Sequence, residues 1–226
     1  MNVKILRQRA PDTAPYWQTF AYEGPADASV ASVLDSLNYR DDVVDVEGNP
    51  APRISWECSC LQGMCGACAM VVNGVPALAC ETFLRDLEGD ELVLEPLRKF
   101  PTVSDLVVDR GAIRDALLAA NDFIETYVPS APEEYPQQYA AAKCLKCGLC
   151  LEVCPNYRAG ADFYGALFAN DCYLVATRSP AEHRELKRSY RKHFADGCSK
   201  SLSCMAACPM GIPTIASMAK LNRKQK

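Results

Sequence analysis

Cysteine is the residue type in this chain whose number and spacing could do chemistry. Thirteen of the 226 residues are cysteines, and they fall within residues 58–80, 144–172 and 198–208. Disulfides are rare in a reducing compartment, so clustered thiolates there are more often metal ligands. The odd number of cysteines also argues against a closed disulfide framework. We therefore expect the three groups to bind metal.

The first group has the spacing of a plant-type [2Fe–2S] ferredoxin. Cys60, Cys65 and Cys68 form a C-x4-C-x2-C run, and Cys80 follows it, as in that ferredoxin class. Glycines inside the loop let its backbone fold close to a cluster and direct N–H groups at the sulfurs, which tunes the reduction potential. Zinc is the alternative metal, although zinc sites commonly use two short knuckles. Cys58 is surplus, and we expect a buried thiol there, with replacement of Cys60 as the alternative.

The second group matches the bacterial ferredoxin run C-x2-C-x2-C-x3-C-P. It comprises Cys144, Cys147, Cys150 and Cys154, and a proline follows the last of these. In ferredoxins with two clusters, the fourth cysteine of this run ligates the other cluster. The run therefore predicts two clusters whose ligands come from two separate stretches of sequence.

The third group is the same run without its second cysteine. Ser201 stands at that position, between Cys198 and Cys204, and a proline follows Cys208. When the two runs exchange their last cysteines, one cluster has four thiolates and the other has three, which suits a three-iron cluster. A serine oxygen could hold a fourth iron, but we prefer a small residue beside an open corner. The predicted sets are Cys144, Cys147, Cys150 and Cys208 for a [4Fe–4S] cluster, and Cys154, Cys198 and Cys204 for a [3Fe–4S] cluster.

The first hundred residues have the pattern of a small mixed α/β domain. Residues 3–9, 16–22 and 91–95 resemble strands, bounded by turn residues. Apolar residues recur at helical spacing over residues 29–39, which predicts an amphipathic helix. Residues 70–76 form an apolar run with an Asn-Gly dipeptide, which is typical of a β-hairpin.

The pattern becomes helical in the second half of the chain. Residues 104–127 carry apolar side chains on a helical repeat, and prolines follow them, which should break the helix. Residues 182–193 are rich in arginine and lysine. They predict a helix with a solvated basic face, on which His183 and His193 would also be solvated.

Charge divides the chain in a similar way. The net charge is −4, but residues 1–103 sum to −7 and residues 104–226 sum to +3. We therefore predict an α+β chain with a plant-type [2Fe–2S] domain over the first range and an all-α dicluster domain over the second. The overall charge does not indicate a nucleic-acid partner.

The longest apolar stretches are shorter than the roughly 20 residues of a membrane span, and no signal core begins the chain, so we expect a cytoplasmic protein.

Three redox centres in a chain of this size predict an electron relay. The sequence has no glycine-rich flavin or nucleotide motif, so no organic cofactor site is expected in it. The catalytic chemistry is therefore expected in a partner that carries such a cofactor.

Together these motifs resemble the iron–sulfur subunit of succinate dehydrogenase and quinol:fumarate reductase. The resemblance spans nearly the whole chain and includes residues 78–86 (LACETFLRD), 100–101 (FP) and 105–109 (DLVVD) besides the cysteine runs. It implies a β-grasp domain that docks on a flavoprotein with FAD and the dicarboxylate site, and a helical domain that faces a membrane anchor where quinone reacts. It also implies a peripheral position on the cytoplasmic side of the membrane. Electrons would pass between FAD and quinone through [2Fe–2S], [4Fe–4S] and [3Fe–4S], in that order.

Departures from the family pattern concern the quinone side. Asn156 and Tyr157 follow the Cys-Pro pair of the second group, where ubiquinone-type members have a tryptophan, and this favours a fumarate reductase with a menaquinol-like donor. Met210 stands where a lysine is common, so Lys220 is the candidate quinone-side residue.

A soluble flavoprotein reductase, such as a thiol-dependent one, is an alternative function, although the CCG repeats typical of such proteins are absent from the sequence. A free-standing ferredoxin is another, and co-purification with a flavoprotein distinguishes a subunit from such a carrier.

Overall fold

The computed structural model describes residues 1–121, 128–129, 131–179 and 183–223, without the side chain of His183. The chain forms two compact units, Met1–Asp109 and Arg110–Lys226.

The first unit is built on a mixed five-stranded sheet. Strand β1 pairs in parallel with β5 and antiparallel with β2, while β3 pairs antiparallel with β4 and β5. Alternate residues of β1 and β5 are buried, and the same core contains the apolar face of helix α1. This is the arrangement of a β-grasp domain, so the predicted fold is confirmed. The elements are β1 (Asn2–Arg7), β2 (Tyr16–Ala21), α1 (Val30–Asn38), β3 (Ala69–Val72), β4 (Val75–Leu78) and β5 (Glu91–Glu95).

The predicted Asn-Gly hairpin joins β3 to β4. Asn73 and Gly74 have φ angles of 47° and 79°, the left-handed pair that a tight two-residue turn requires. The Asn73 side-chain oxygen also accepts a 2.7 Å hydrogen bond from the backbone N–H of Val93 on β5. The turn is therefore tied to the neighbouring strand.

The predicted helix over residues 104–127 begins later than expected. A hairpin of β6 (Thr102–Ser104) and β7 (Val107–Val108) comes first, and helix α2 covers Gly111–Ala119. The cause is Asp105, whose backbone is left-handed with φ of 47° and whose buried carboxylate accepts hydrogen bonds from first-unit backbone N–H groups. The first unit consequently extends to residue 109, past the predicted boundary at 103. Residues 122–127 of the predicted helix lie outside the described residues.

The second unit is helical, with α5 at its centre. Most residues of α5 are buried, and it packs against α3, α4, α6 and α8. In the part of the chain that the structure describes, no helix is long and apolar enough to cross a membrane. The helices after α2 are α3 (Tyr135–Ala142), α4 (Leu149–Glu152), α5 (Gly165–Arg178), α6 (His183–Tyr190), α7 (Ser203–Ala206) and α8 (Thr214–Asn222).

His193 is buried, contrary to its predicted solvation. The α6 helix continues into a π-helical turn at Arg191–Ala195, whose arginine and lysine are exposed while its histidine and phenylalanine are buried. The His193 ring stacks on Tyr164 with centroids 4.2 Å apart, and its Nδ1 lies 2.8 Å from the Asp162 carbonyl oxygen. The basic residues around His193 in the sequence therefore do not indicate that its ring packs against an aromatic side chain. The prediction for the His183 side chain lies outside the described residues.

A polar network joins three elements of the second unit. Glu134 precedes α3, accepts a 3.0 Å hydrogen bond from the Tyr173 hydroxyl of α5, and forms an ion pair with Lys220 of α8. Lys220 lowers the pKa of Glu134 most, burial opposes that effect, and Tyr173 lowers the pKa further. The ionised carboxylate is therefore the form that the fold stabilises.

Replacing Glu134 with glutamine should lower the free energy of unfolding by about 1 kcal/mol at pH 7, because the partly exposed lysine limits the ion-pair energy. A carboxyl with a depressed pKa contributes stability that is full above its unfolded pKa, about 4.3, and lost as pH falls through its folded pKa. The difference in the free energy of unfolding between the unchanged protein and Glu134→Gln should therefore stay constant from about pH 8 to pH 6. Urea unfolding across this range measures it, and a difference that shrinks within the range would contradict the assignment.

Candidate functional site

The structure brings the first cysteine group together at the end of the first sheet. Cys60, Cys65 and Cys68 lie on the loop before β3, and Cys80 lies on the short 3-10 turn Ala79–Glu81 after β4. The β3–β4 hairpin places the Cys68 and Cys80 sulfurs 3.4 Å apart. Cys65 neighbours both Cys60 and Cys68. Four thiols from one loop and one turn thus share a site.

Backbone N–H groups of this loop point at the sulfurs. Gln62 and Met64 donate to Cys60 Sγ at 3.4 and 3.3 Å, and these bonds lower the pKa of Cys60 to about 7. Gly63 donates to Cys80 Sγ at 3.3 Å. Burial raises the pKa of Cys68 to about 12, so a metal must displace its proton on binding.

Replacing Gly63 with alanine should reduce the yield of cluster at this site. Gly63 has φ of +69°, and an added Cβ would lie 2.8 Å from Cγ and Cδ of Glu81. The exposed Glu81 side chain can turn away from the added Cβ, but the left-handed backbone costs a non-glycine residue about 1–2 kcal/mol, and relaxing that strain moves the N–H away from Cys80. Iron content and visible absorption per chain measure the loss.

The matched control is Gly74→Ala. Gly74 has φ of +79° but open space around it, so this variant carries the same backbone strain without a clash at the cysteine loop. It should bind the full amount of cluster. Equal cluster content in the two variants would contradict a special role for Gly63.

Cys58 and Cys172 differ in burial. Cys58 is exposed, so the expectation of a buried thiol there is wrong. It lies on the irregular segment before the loop, where no packed element covers it. Cys172 is fully buried on α5, as expected of a surplus thiol that packs as a small apolar residue.

Five cysteines from two separate sequence runs border one cavity of the second unit, which we call the Cys144 cavity. Burial raises the pKa values of Cys144, Cys147 and Cys150, because the walls are largely apolar. Loading with metal must therefore release protons here as well. The cysteines that border it are Cys144, Cys147, Cys150, Cys208 and, at its edge toward the next cavity, Cys204.

A second cavity, which we call the Cys198 cavity, lies next to the first. The residues that line it include Cys154, Cys198, Cys204 and Ser201. Cys204, Ala166 and Thr214 border both cavities. The two sites are therefore separated by a single layer of side chains.

The two cysteine runs share one backbone conformation, which the sequence alone did not reveal. Lys146 and Lys200 have φ of 55° and 58°, and Gly148 and Leu202 have φ of 90° and 60°. A short helix follows in each case, α4 or α7. Ser201 thus occupies the backbone position that Cys147 has in the other run. Holding a lysine and a leucine in the left-handed region costs about 1–2 kcal/mol each.

Lys220 has a partner within the fold. It forms the ion pair with Glu134 described above, and its side chain is 35% exposed. It does not line the Cys144 or the Cys198 cavity. A contact between Lys220 and quinone therefore stays a prediction.

The donors and their surroundings fit iron–sulfur clusters. Thiolates are the ligands that such clusters prefer, the loop N–H groups supply hydrogen bonds to sulfur, and both cavities are bordered by several cysteines. Among the described residues, no three His, Cys, Asp or Glu side chains meet where a single metal ion could sit.

Comparisons with known proteins agree with this chemistry. The chain matches the family described as "2Fe-2S iron-sulfur cluster binding domain" over residues 2–115 and the "4Fe-4S dicluster domain" over residues 140–212. It therefore carries iron–sulfur domains of both types, in the predicted order.

Relatives of known function span nearly the same length. The succinate dehydrogenase iron-sulfur subunit of Bacillus subtilis (strain 168) is 34% identical over 97% of this chain and 90% of that protein. The fumarate reductase iron-sulfur subunit of Escherichia coli O6:H1 is 31% identical over 96% of this chain and 90% of that protein. The solved structure "Mycobacterium smegmatis Sdh1 complex in the apo form" contains a chain with the same fold, with a TM-score of 0.75 at 19% identity over 97% of this chain and 94% of that one. The resemblance expected from the motifs is confirmed: the chain belongs to the family of succinate dehydrogenase and fumarate reductase iron–sulfur subunits, and it is an electron-transfer subunit of an oxidoreductase.

Proposed function

We propose that this chain carries electrons between an FAD-containing subunit that oxidises or reduces dicarboxylates and a quinone site in the membrane. The observation that carries the proposal is the single layer of side chains between the Cys144 and Cys198 cavities. Two centres held that close suit transfer from one to the next. The named relatives, which match over most of their length, support the same role.

Each cysteine set has a defined task in this proposal. The clusters supply one-electron redox centres when bound. The protein holds them by thiolates, directs backbone N–H groups at the sulfurs of the first site, and surrounds the other two with largely apolar walls. The proposed ligands are Cys60, Cys65, Cys68 and Cys80 for [2Fe–2S], Cys144, Cys147, Cys150 and Cys208 for [4Fe–4S], and Cys154, Cys198 and Cys204 for [3Fe–4S].

The partners follow from the surfaces near these sites and from the family. Leu61 and Met64 are 45% and 63% exposed on the first cysteine loop, and such apolar side chains favour a protein partner there, which we assign to the flavoprotein. The helical unit faces a membrane anchor on the cytoplasmic side in this proposal, so the chain is peripheral. We propose a menaquinol-like donor, because Asn156 and Tyr157 replace the tryptophan of ubiquinone-type members.

Electron paramagnetic resonance (EPR) on the chain purified anaerobically from its native membrane tests the proposal. A three-iron signal in the oxidised protein, two further centres on reduction, and co-purification with a flavoprotein and a membrane protein are expected. A chain that purifies alone would indicate a ferredoxin carrier. Purification with a flavoprotein from the soluble fraction would indicate a soluble reductase.

A further inference from the structure

Asn170 of α5 is a buried amide on the wall of the Cys144 cavity, outside every cysteine motif. It is only 3% exposed. Its Nδ2 donates to Thr214 Oγ1 at 3.0 Å, whereas its Oδ1 is buried and has no hydrogen-bond partner among the residues that the structure describes. An unsatisfied buried acceptor is unfavourable, and folded proteins rarely contain one without a functional reason.

Rotation of the amide by 180° about χ2 pairs the oxygen with Thr214 and moves the unpaired position to the nitrogen, which needs an acceptor. The oxygen and nitrogen are nearly the same size, so they exchange places without displacing a neighbour. A threonine hydroxyl can donate as well as accept, so Thr214 would then donate to Asn170 Oδ1. The amide nitrogen would take the place of the unpaired oxygen and offer its N–H donors there.

The chemistry of the cavity selects between the two orientations. Its cysteine thiolates and the sulfides of a cluster are electron-rich, so they repel a carbonyl oxygen and attract an N–H group. We infer that, with the cluster bound, Asn170 donates a hydrogen bond to its sulfur atoms and that Thr214 holds the amide in this orientation. This inference rests on the proposed four-iron site.

A hydrogen bond of this kind should raise the reduction potential of that cluster. Reduction adds one negative charge, and an N–H donor stabilises the more negative form. Because the cluster with its thiolates is anionic in both states, only the difference between the two hydrogen-bond strengths shifts the midpoint, and losing the bond should change the ratio of reduced to oxidised cluster several-fold, up to about tenfold. A tenfold change in a one-electron couple is about 59 mV.

The test is an EPR-monitored redox titration of the full chain with Asn170→Leu. The midpoint of the four-iron centre should fall by a few tens of millivolts, up to about 59 mV, while the other two centres keep their midpoints. Thr214→Val should lower the same midpoint by less, because the amide is present but no longer held, and Thr214→Ser should restore it. The control is Ser217→Ala, which removes another buried hydroxyl of α8. Ser217 accepts a hydrogen bond from Gln137 and lines neither cavity, so this variant should leave all three midpoints unchanged.

The outcomes separate this inference from the proposed function. An unchanged midpoint in Asn170→Leu at full iron content overturns the role of Asn170 and leaves the relay intact. If Asn170→Leu assembles no four-iron cluster, the Thr214 variants decide, and equal midpoints in Thr214→Val and Thr214→Ser overturn it. Absence of a four-iron signal from the unchanged chain overturns the proposed function itself.

Discussion

Replacing Ser201 with cysteine is expected to abolish the three-iron EPR signal of the oxidised protein. The variant should gain about one iron per chain, as a [3Fe–4S] centre becomes a [4Fe–4S] centre. The new centre should give a signal only after reduction. This is the largest spectroscopic change that we expect from any single substitution in the chain.

The reason lies in the shared backbone of the two cysteine runs. Ser201 is preceded by Lys200 and followed by Leu202, both in the left-handed region, just as Cys147 lies between two left-handed residues. A thiol at residue 201 therefore starts from the same backbone as a cysteine of the complete run, and it lines the Cys198 cavity. A serine hydroxyl has a far higher pKa than a thiol and seldom ionises to bind iron, so it leaves the corner open.

Ser199→Cys is the matched control for this prediction. It adds a thiol to the same loop, but at the position that corresponds to Leu145 in the other run. The three-iron signal should persist in it. A three-iron signal that also persists in Ser201→Cys would contradict the assignment of the open corner. If the unchanged protein itself lacks that signal, Ser201 or water completes a cubane.

The sequence predicted the local parts of the sites better than their walls. The C-x4-C-x2-C loop and the Asn-Gly hairpin depend on residues close together in the chain, so spacing and turn chemistry indicate them directly. Asn170 could not be predicted, because it reaches the Cys144 cavity from the middle of α5. Helical periodicity shows that such a residue is buried but not which cavity it borders.

The wrong predictions also have tertiary causes. His193 was assigned to a solvated basic face, but the π-helical turn and the stacked Tyr164 ring bury it. Cys58 was expected to be buried because thiols usually are, yet its segment is exposed. Asp105 lies near the start of the range 104–127 for which the sequence predicts a helix, and only its long-range hydrogen bonds show why the chain turns there.

Replacing Asp105 with alanine is expected to lower the free energy of unfolding of the first unit by about 3–5 kcal/mol, because removing one partner of a buried ion pair leaves an uncompensated charge. Arg7 and Asp105 are both fully buried, with Arg7 Nε 3.0 Å from Asp105 Oδ1. The same carboxylate accepts hydrogen bonds from the backbone of Gln8 at 3.1 Å and of Ser55 at 2.9 Å. Its loss therefore also leaves two donors without their acceptor.

Urea unfolding under anaerobic conditions measures this loss. Fluorescence reports on the first unit alone, since the two tryptophans of the chain both lie in it. The control is Arg98→Ala, which breaks a pair with Glu95 in which the arginine side chain is 54% exposed. Exposed pairs contribute about 0–1 kcal/mol, so a similar small loss in Asp105→Ala would contradict the prediction.

The double variant Arg7→Met with Asp105→Leu separates the cost of the uncompensated charge from the cost of the lost hydrogen bonds. If the uncompensated charge dominates, removing both charges should recover much of the stability, because apolar replacements of buried ion pairs are often neutral. The recovery should be incomplete, since the N–H groups of Gln8 and Ser55 still lack the carboxylate and leucine must adopt the left-handed backbone of residue 105. A double variant no more stable than Asp105→Ala would instead show that hydrogen bonds outweigh the uncompensated charge. These are the bonds that Asp105 accepts from Gln8 and Ser55 and those that Arg7 donates to Gln18, Pro52 and Arg53.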